Sequence, residues 1–355
     1  MKAVVQERYG DASVLRFTDV ERPVPKAGEV LVKVHAAAFN HGDRVDLHGE
    51  PRIARLQLGV RRPKVPIPGR AIAGTVELAG PGVTAWAPGD AVLAETTKRG
   101  FAEYIAVPAD TLAAKPAGIT FEQAATLPVS GTTALQAVRL VNADENQRDR
   151  SAHADQPVDA NQPTGMTINH VDENQPIKPV VNVLINGASG GVGTFAVQLA
   201  KLAGAAVTAV CSPRNAARAR ALGAERVVDY TREDFTKGTE RYDAVIDLAG
   251  GYTVGGMLGV LTERGVFIGS NGTGGRVLGP LPRLVTIMTR SALHRGRVKV
   301  VLNQPNPAAL TTLAAMVADG RLVPEIERVW SLNETAAALH ALETEHARGK
   351  IVLTV

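Results

Sequence analysis

Residues 183–200 run Val183-Leu184-Ile185-Asn186-Gly187-Ala188-Ser189-Gly190-Gly191-Val192-Gly193-Thr194-Phe195-Ala196-Val197-Gln198-Leu199-Ala200. An apolar strand enters a turn of small residues, and an amphipathic helix leaves it. The spacing Ala188-x-Gly190-x-x-Gly193 is the dinucleotide fingerprint with Ala at its first position. A bare Gly190 lets the backbone approach a pyrophosphate, and Gly193 lets the helix pack close to the strand. The helix start offers N–H groups and the positive end of its dipole to phosphates. Ala188, Ser189, Gly190, Gly191, Val192 and Gly193 are therefore the candidate cofactor cradle.

Working outward, strands and helices alternate from about residue 180 onward. Ala206–Val210, Arg226–Val228 and Ala244–Asp247 read as strands, with a helix over Asn215–Leu222. That alternation predicts a parallel, doubly wound α/β sheet. The strand after the fingerprint ends Ala209-Val210-Cys211-Ser212-Pro213-Arg214-Asn215 and carries no carboxylate for the ribose hydroxyls. Ser212 is small and neutral, while Arg214 and Arg218 would neutralise a 2′-phosphate. The expected cofactor is NADPH, with NADH the weaker candidate. Asn271, Gly272 and Gly274 follow the strand Val266–Gly269, at a carboxyl end where a contact to the nicotinamide half is expected.

Residues 1–115 read differently, as short strands divided by turns such as Pro81-Gly82 and Pro88-Gly89-Asp90, which predicts a β-barrel-type domain. Thr120 is an expected N-cap for a short helix over 120–125, and a longer helix begins at Gly131. The tail ends in a strand, Lys350–Val355, expected to return to the first domain. Residues 142–179 are rich in Asp, Asn, Gln and Pro, nearly free of aliphatics, and hold a near-repeat of Asn-Gln-Pro. Such a segment buries too little apolar area to offset its ordering entropy and reads as a surface insertion.

Bulk properties exclude several classes. The formal charge is +4 over 355 residues, with no basic block long enough for a nucleic-acid arm; Arg61-Arg62 with Lys64 reads as a solvated loop. Cys211 is the single cysteine, so an internal disulfide or a thiolate metal cluster is excluded, and Cys211 itself reads as a buried strand residue. No apolar run approaches the ~18 residues of a membrane span, and the amino terminus becomes charged early. The expectation is a cytoplasmic protein acting on a small molecule, with neither nucleic acid nor membrane as partner.

Taken in order, further motifs accompany the fingerprint: Pro68-Gly69-Arg70-Ala71-Ile72-Ala73-Gly74, Pro88-Gly89-Asp90-Ala91-Val92, Gly100-Phe101-Ala102-Glu103-Tyr104, Leu127-Pro128-Val129-Ser130-Gly131-Thr132-Thr133-Ala134, Tyr242–Asp247 and Gly349-Lys350-Ile351-Val352-Leu353. In these the chain resembles the medium-chain dehydrogenase/reductase superfamily, in its zinc-independent quinone oxidoreductase and enoyl reductase branch. The resemblance implies a GroES-like catalytic domain split over 1–122 and 303–355 around a Rossmann domain over 123–302, a cleft between them, and a homodimer. Zinc members of the superfamily carry Cys and His ligands where this chain has Asn40 or a neighbour, Arg70 and the Pro128 region. His35, His41 and His48 lie six and seven residues apart with no thiolate, so no metal site is expected.

By the same resemblance Asn40, His41 and Asp43 sit at the cleft: Asn40 to donate to a substrate carbonyl or hold the nicotinamide ribose, Asp43 to orient, His41 as proton donor. Thr133 would bond the nicotinamide end. The family often has an acid where Ala71 stands. Without a Lewis acid, hydride transfer to a quinone or an α,β-unsaturated carbonyl is the expected reaction. The alternatives are an alcohol or ketone oxidoreductase, or an NADPH-binding protein without turnover.

Overall fold

The computed structural model describes residues 1–141, 182–270, 278–279, 281–293, 297–301, 303–344 and 348–355. The insertion expected over 142–179, and Asn271, Gly272 and Gly274, lie outside the described residues.

Short strands come first, as the turn spacing predicted. β1 (Lys2–Gln6) pairs antiparallel with β2 (Leu15–Asp19), and β3 (Glu29–Ala38) follows. Helices α1 (His41–His48) and α2 (Arg55–Leu58) precede β4 (Ala71–Ala79), β5 (Ala91–Glu95), β6 (Tyr104–Pro108) and β7 (Leu112–Ala114). Helix α3 (Phe121–Ala125) starts at Thr120, whose hydroxyl accepts the Gln123 N–H while Gln123 accepts the Thr120 N–H. Thr120 is the N-cap the sequence offered, and the return bond from Gln123 makes the cap reciprocal. Helix α4 spans 132–141.

The nucleotide-type unit then alternates as expected: β8 (Asn182–Asn186), α5 (Gly193–Leu202), β9 (Ala206–Cys211), α6 (Ala216–Ala221), β10 (Arg226–Asp229), β11 (Tyr242–Asp247), α7 (Val254–Gly259), β12 (Leu261–Gly269), α8 (Leu281–Leu293) and β13 (Val298–Val300). Pro213 turns the start of the expected 215–222 helix into a tighter turn over Pro213–Asn215, so α6 begins one residue later. The strands pair in parallel in the order β10-β9-β8-β11-β12-β13. The order reverses between β8 and β11, which opens a crevice at their carboxyl ends. The chain closes with α9 (Pro307–Ala318), β14 (Ile326–Ser331), α10 (Thr335–Thr344) and β15 (Lys350–Thr354).

The last strand does return to the first sheet. β15 lies between β14 and β3, with Val352 opposite Ala38 and Thr354 opposite Ala36, and the sheet continues β3-β4-β5-β7. β3 itself serves two cores. Val30, Val32, Val34 and Ala37 pack with Phe39, Leu47, Ile72 and Leu353 in the barrel interior. Ala36 and Ala38 face the other way, into a cluster that also holds Leu127, Leu135, Ile185, Phe195 and Leu313. The switch follows a register shift between Val34 and Ala36, where an irregularity changes which face the alternation presents. Small side chains at Ala36, Ala38, Ala71 and Ala73 make the junction between the two sheets thin.

Gly74 pairs with Val34 at that shift, and a Cβ there would sit 2.0 Å from the Lys33 carbonyl oxygen. A ladder oxygen cannot step aside. Gly74→Ala is expected to cost about 1–3 kcal/mol, read as a lowered urea midpoint at unchanged m-value.

Candidate active site

The fingerprint forms a turn at the crevice. Gly187 leaves β8 at φ +84°, and the N–H groups of Gly187 and Ala188 reach the Val210 carbonyl at 3.3 and 3.2 Å. A Cβ on Gly193 would fall 2.1 Å from the Gly187 oxygen, so close packing of α5 on β8 demands glycine there. Val192 precedes α5 and no side chain caps it, which leaves first-turn donors to a ligand. Ala188 is buried, whereas Ser189, Gly190, Gly191 and Val192 keep partial access to solvent. Uncapped donors over bare glycines fit the diphosphate of a dinucleotide.

Around the turn, the residues named from sequence fare unequally. Ser212 closes β9 and its hydroxyl accepts from the Asn215 amide at 3.2 Å, with Arg214 exposed beside it. The Arg218 guanidinium donates to the Arg348 carbonyl at 2.8 Å and pairs with Glu325 at 3.2 Å, which ties it to the segment entering β15. Thr133 is buried in the first turn of α4; its neighbour Thr132 donates to the Asn303 side chain at 3.0 Å.

Across the crevice stands a cluster the sequence reading did not assemble. Gly190 bridges to Gly349, and the next residue, Lys350, opens β15 with its side chain buried. A Cβ on Gly191 would lie 2.9 Å from Lys350 Cδ, so the lysine stem runs directly beneath the nucleotide turn. Its ammonium donates to Asn40 Oδ1 at 2.7 Å, to Ser130 Oγ at 3.0 Å and to the Phe39 carbonyl. Ser130 in turn donates to Asn40 Oδ1 at 3.2 Å. Burial pushes the Lys350 pKa down to about 7, against the pull of the Asp43 carboxylate. The available signal was a charged residue at the head of the apolar run Ile351-Val352-Leu353.

Asn40 caps the start of α1 from extended backbone, and Asp43 Oδ2 accepts its N–H at 2.8 Å. The Asn40 amide also donates to the Ala38 carbonyl at 3.0 Å. Its oxygen is thus spent on Lys350 and Ser130, and one N–H is spent on the backbone, so Asn40 is fixed rather than fully open to a substrate. Asp43 is buried, and burial pushes its pKa up to about 6 despite the Asn40 N–H and the charges of Arg70 and Lys350. An orienting carboxylate fits this position. His41 opens α1 with its ring accessible, and desolvation followed by the Arg44 charge holds its pKa below the usual value.

The fit of a divalent metal can be tested on the same residues. Asn40 faces an ammonium. Arg70 donates to Asp46 at 2.7 Å, with Lys98 3.4 Å away on that carboxylate. His35 meets Thr75 at 3.0 Å and stacks on Phe121, while His48 meets Glu343 at 2.6 Å. Among the described residues no three His, Cys, Asp or Glu side chains gather as metal ligands. Asn40, Arg70, His35 and His48 thus each already hold a protein partner.

A second buried carboxylate ties this wall together. Glu95, at the end of β5, accepts the Val129 N–H at 3.2 Å and the Asn303 amide at 2.6 Å. Burial raises its pKa. Val129 holds φ +65° and ψ −62°, an uncommon conformation for a β-branched residue. The strain sits one residue before Ser130.

The buried ammonium has a pH consequence with a definite sign. A lysine titrating near 7 when folded and near ~10.4 when unfolded leaves the unfolded chain holding more protons between those values. Its contribution to stability is complete above the unfolded pKa and is lost as pH falls toward 7. Between pH 7 and 9, urea midpoints of the native chain should rise with pH more than those of Lys350→Met; parallel slopes would contradict the assignment.

Comparison with known proteins matches this geometry. Residues 26–117 match the alcohol dehydrogenase GroES-like domain, and residues 222–353 match the zinc-binding dehydrogenase domain. The mitochondrial NAD(P)H oxidoreductase RTN4IP1 of Danio rerio is 31% identical, over 100% of this chain and 91% of its own length. The chloroplastic quinone-oxidoreductase QR1 of Triphysaria versicolor is 30% identical over 99% of this chain and 98% of its own. The solved quinone oxidoreductase of Coxiella burnetii superposes with a TM-score of 0.78 at 30% identity, covering 100% of this chain and 99% of that one. The chain therefore belongs to the medium-chain dehydrogenase/reductase superfamily, in its quinone oxidoreductase branch, and is an oxidoreductase that uses a nicotinamide cofactor.

Proposed function

We propose that the chain reduces a quinone or an α,β-unsaturated carbonyl with NADPH, without a catalytic zinc, as a cytoplasmic homodimer. One observation carries the reading: the uncapped glycine turn and the Lys350–Asn40–Ser130 cluster share one wall, joined at Gly190 and Gly349. Bound there, the cofactor would supply a hydride. What the chain itself supplies is position and charge. The turn grips the diphosphate. Asn40 and Ser130 fix a polar edge, and the Lys350 ammonium beneath it favours negative charge developing on a substrate oxygen. The accessible His41 ring at the start of α1 is suited to pass a solvent proton to the reduced product.

The cofactor preference rests on the end of β9, where Ser212 and Arg214 stand and no carboxylate does. β13 is one of the two edge strands of its sheet among the described residues, and an edge offers backbone groups to a second copy.

The test is oxidation of NADPH against 1,4-benzoquinone and a 2-alkenal, with NADH and added zinc as controls. Turnover with NADPH, indifferent to zinc, is the expected result; turnover only of alcohols, or only with zinc, would overturn it. Arg214→Ala should raise the KM for NADPH by roughly tenfold or more, the worth of a charged hydrogen bond, and leave that for NADH nearly unchanged. The insertion read from sequence over 142–179 precedes β8 in the chain, and the turn follows β8. Replacing the insertion with a short Gly/Ser linker should leave the Kd for NADPH within about twofold in calorimetry, since the helix-dipole field fades within a turn.

A further inference from the structure

Acidic residues are distributed unevenly along this chain. Residues 51–76 hold six Lys and Arg and no Asp or Glu, and residues 264–318 hold seven and again none. The net charge is only +4, so the remainder of the chain is net negative. The two acid-free segments meet in the fold. A Cβ on Gly279 would fall 2.4 Å from Pro51 Cγ, so the approach to α8 seats directly on the segment that carries α2.

Apolar side chains are exposed on both sides of that contact. Ile53, Leu56 and Val60 recur at helical spacing and are 39%, 70% and 66% exposed. Leu278 and Leu281 continue the surface across the contact, at 50% and 37% exposed. Arg52, Arg61, Arg62 and Lys64 are exposed beside them. Arg55 is turned inward, over the Tyr9 ring and onto the Gly49 carbonyl at 2.9 Å, and anchors the segment. From sequence, Arg61-Arg62 with Lys64 read as a solvated loop and no membrane partner was expected. The aliphatic side chains standing among those cations alter that reading.

We infer that this surface docks the protein peripherally on an anionic lipid bilayer, with Ile53, Leu56 and Val60 in the headgroup layer and the cations on lipid phosphates. Clustered aliphatics ringed by Lys and Arg are the composition of interfacial segments. Two other occupants fit less well. A second copy related by a two-fold axis would set like charges against each other with no carboxylate in either segment. Single-stranded nucleic acid is held by aromatic stacking, and residues 51–76 contain no Phe, Tyr or Trp. None of the residues named for this surface belongs to the Lys350 cluster.

The test is co-sedimentation of the full chain with vesicles of phosphatidylcholine alone and with roughly one-third phosphatidylglycerol. Binding to the anionic vesicles only, reversed by salt, is expected. Arg61→Glu with Arg62→Glu should weaken that partition by at least ~10-fold, and Leu56→Asp by roughly tenfold. Both should keep the native thermal midpoint and NADPH turnover. Equal binding to both vesicles, no binding to either, or variants that bind like the native chain would overturn it. So would a fall in sedimentation mass of Leu56→Asp without lipid, which would assign the surface to a second copy, or binding of a short oligonucleotide in preference to the vesicles.

Discussion

The structure depends on one buried ammonium. Lys350 brings together three stretches of chain that are remote in sequence, at Phe39–Asn40, at Ser130 and at the start of β15. A buried cation is costly unless each of its hydrogens is taken and a countercharge is near. Here three oxygens accept them, and the Asp43 carboxylate lies within electrostatic reach. The same lysine supports Gly191 from below. The catalytic sheet, the crossover and the nucleotide turn are thus held by a contact that is itself part of the candidate site.

Much of this was legible in residue order. The strand-turn-helix over 183–200 fixed the position of the crevice, because only glycine tolerates the approach seen at Gly193. The alternation after it gave the parallel sheet, and the N-cap at Thr120 was readable from its own side chain. What stayed hidden was whatever depends on a partner far along the chain. A lysine at the head of an apolar strand reads as a solvated end until β15 is placed against β3. The bonds of Arg218 to Glu325 and Arg348 likewise join residues far apart in the chain. No local signal announces that Ala36 and Ala38 leave the barrel core, since the register shift behind this belongs to the pairing of β3 with β4.

Glu95 shows how the two sheets are coupled. It stands on the catalytic sheet, yet its two oxygens are taken by Val129 and Asn303, where the chain passes into and out of the nucleotide unit. A carboxylate in that place holds both crossings to one strand. The strained Val129 and the adjacent Ser130 inherit their positions from it. These polar bonds stand beside the apolar cluster in which Ala36 and Ala38 pack with Ile185 and Phe195.

The pairing of β15 with β3 also has a consequence for biosynthesis. Lys350 follows Asn40 by 310 residues. On a ribosome, where the amino-terminal part folds first, the second half of β3 emerges long before its neighbour. Its ladder groups on the side away from β4 stay open throughout that interval, and an open ladder recruits stray chains. Nascent polypeptides of this protein should thus be clients of holding chaperones at that edge until the closing strand arrives.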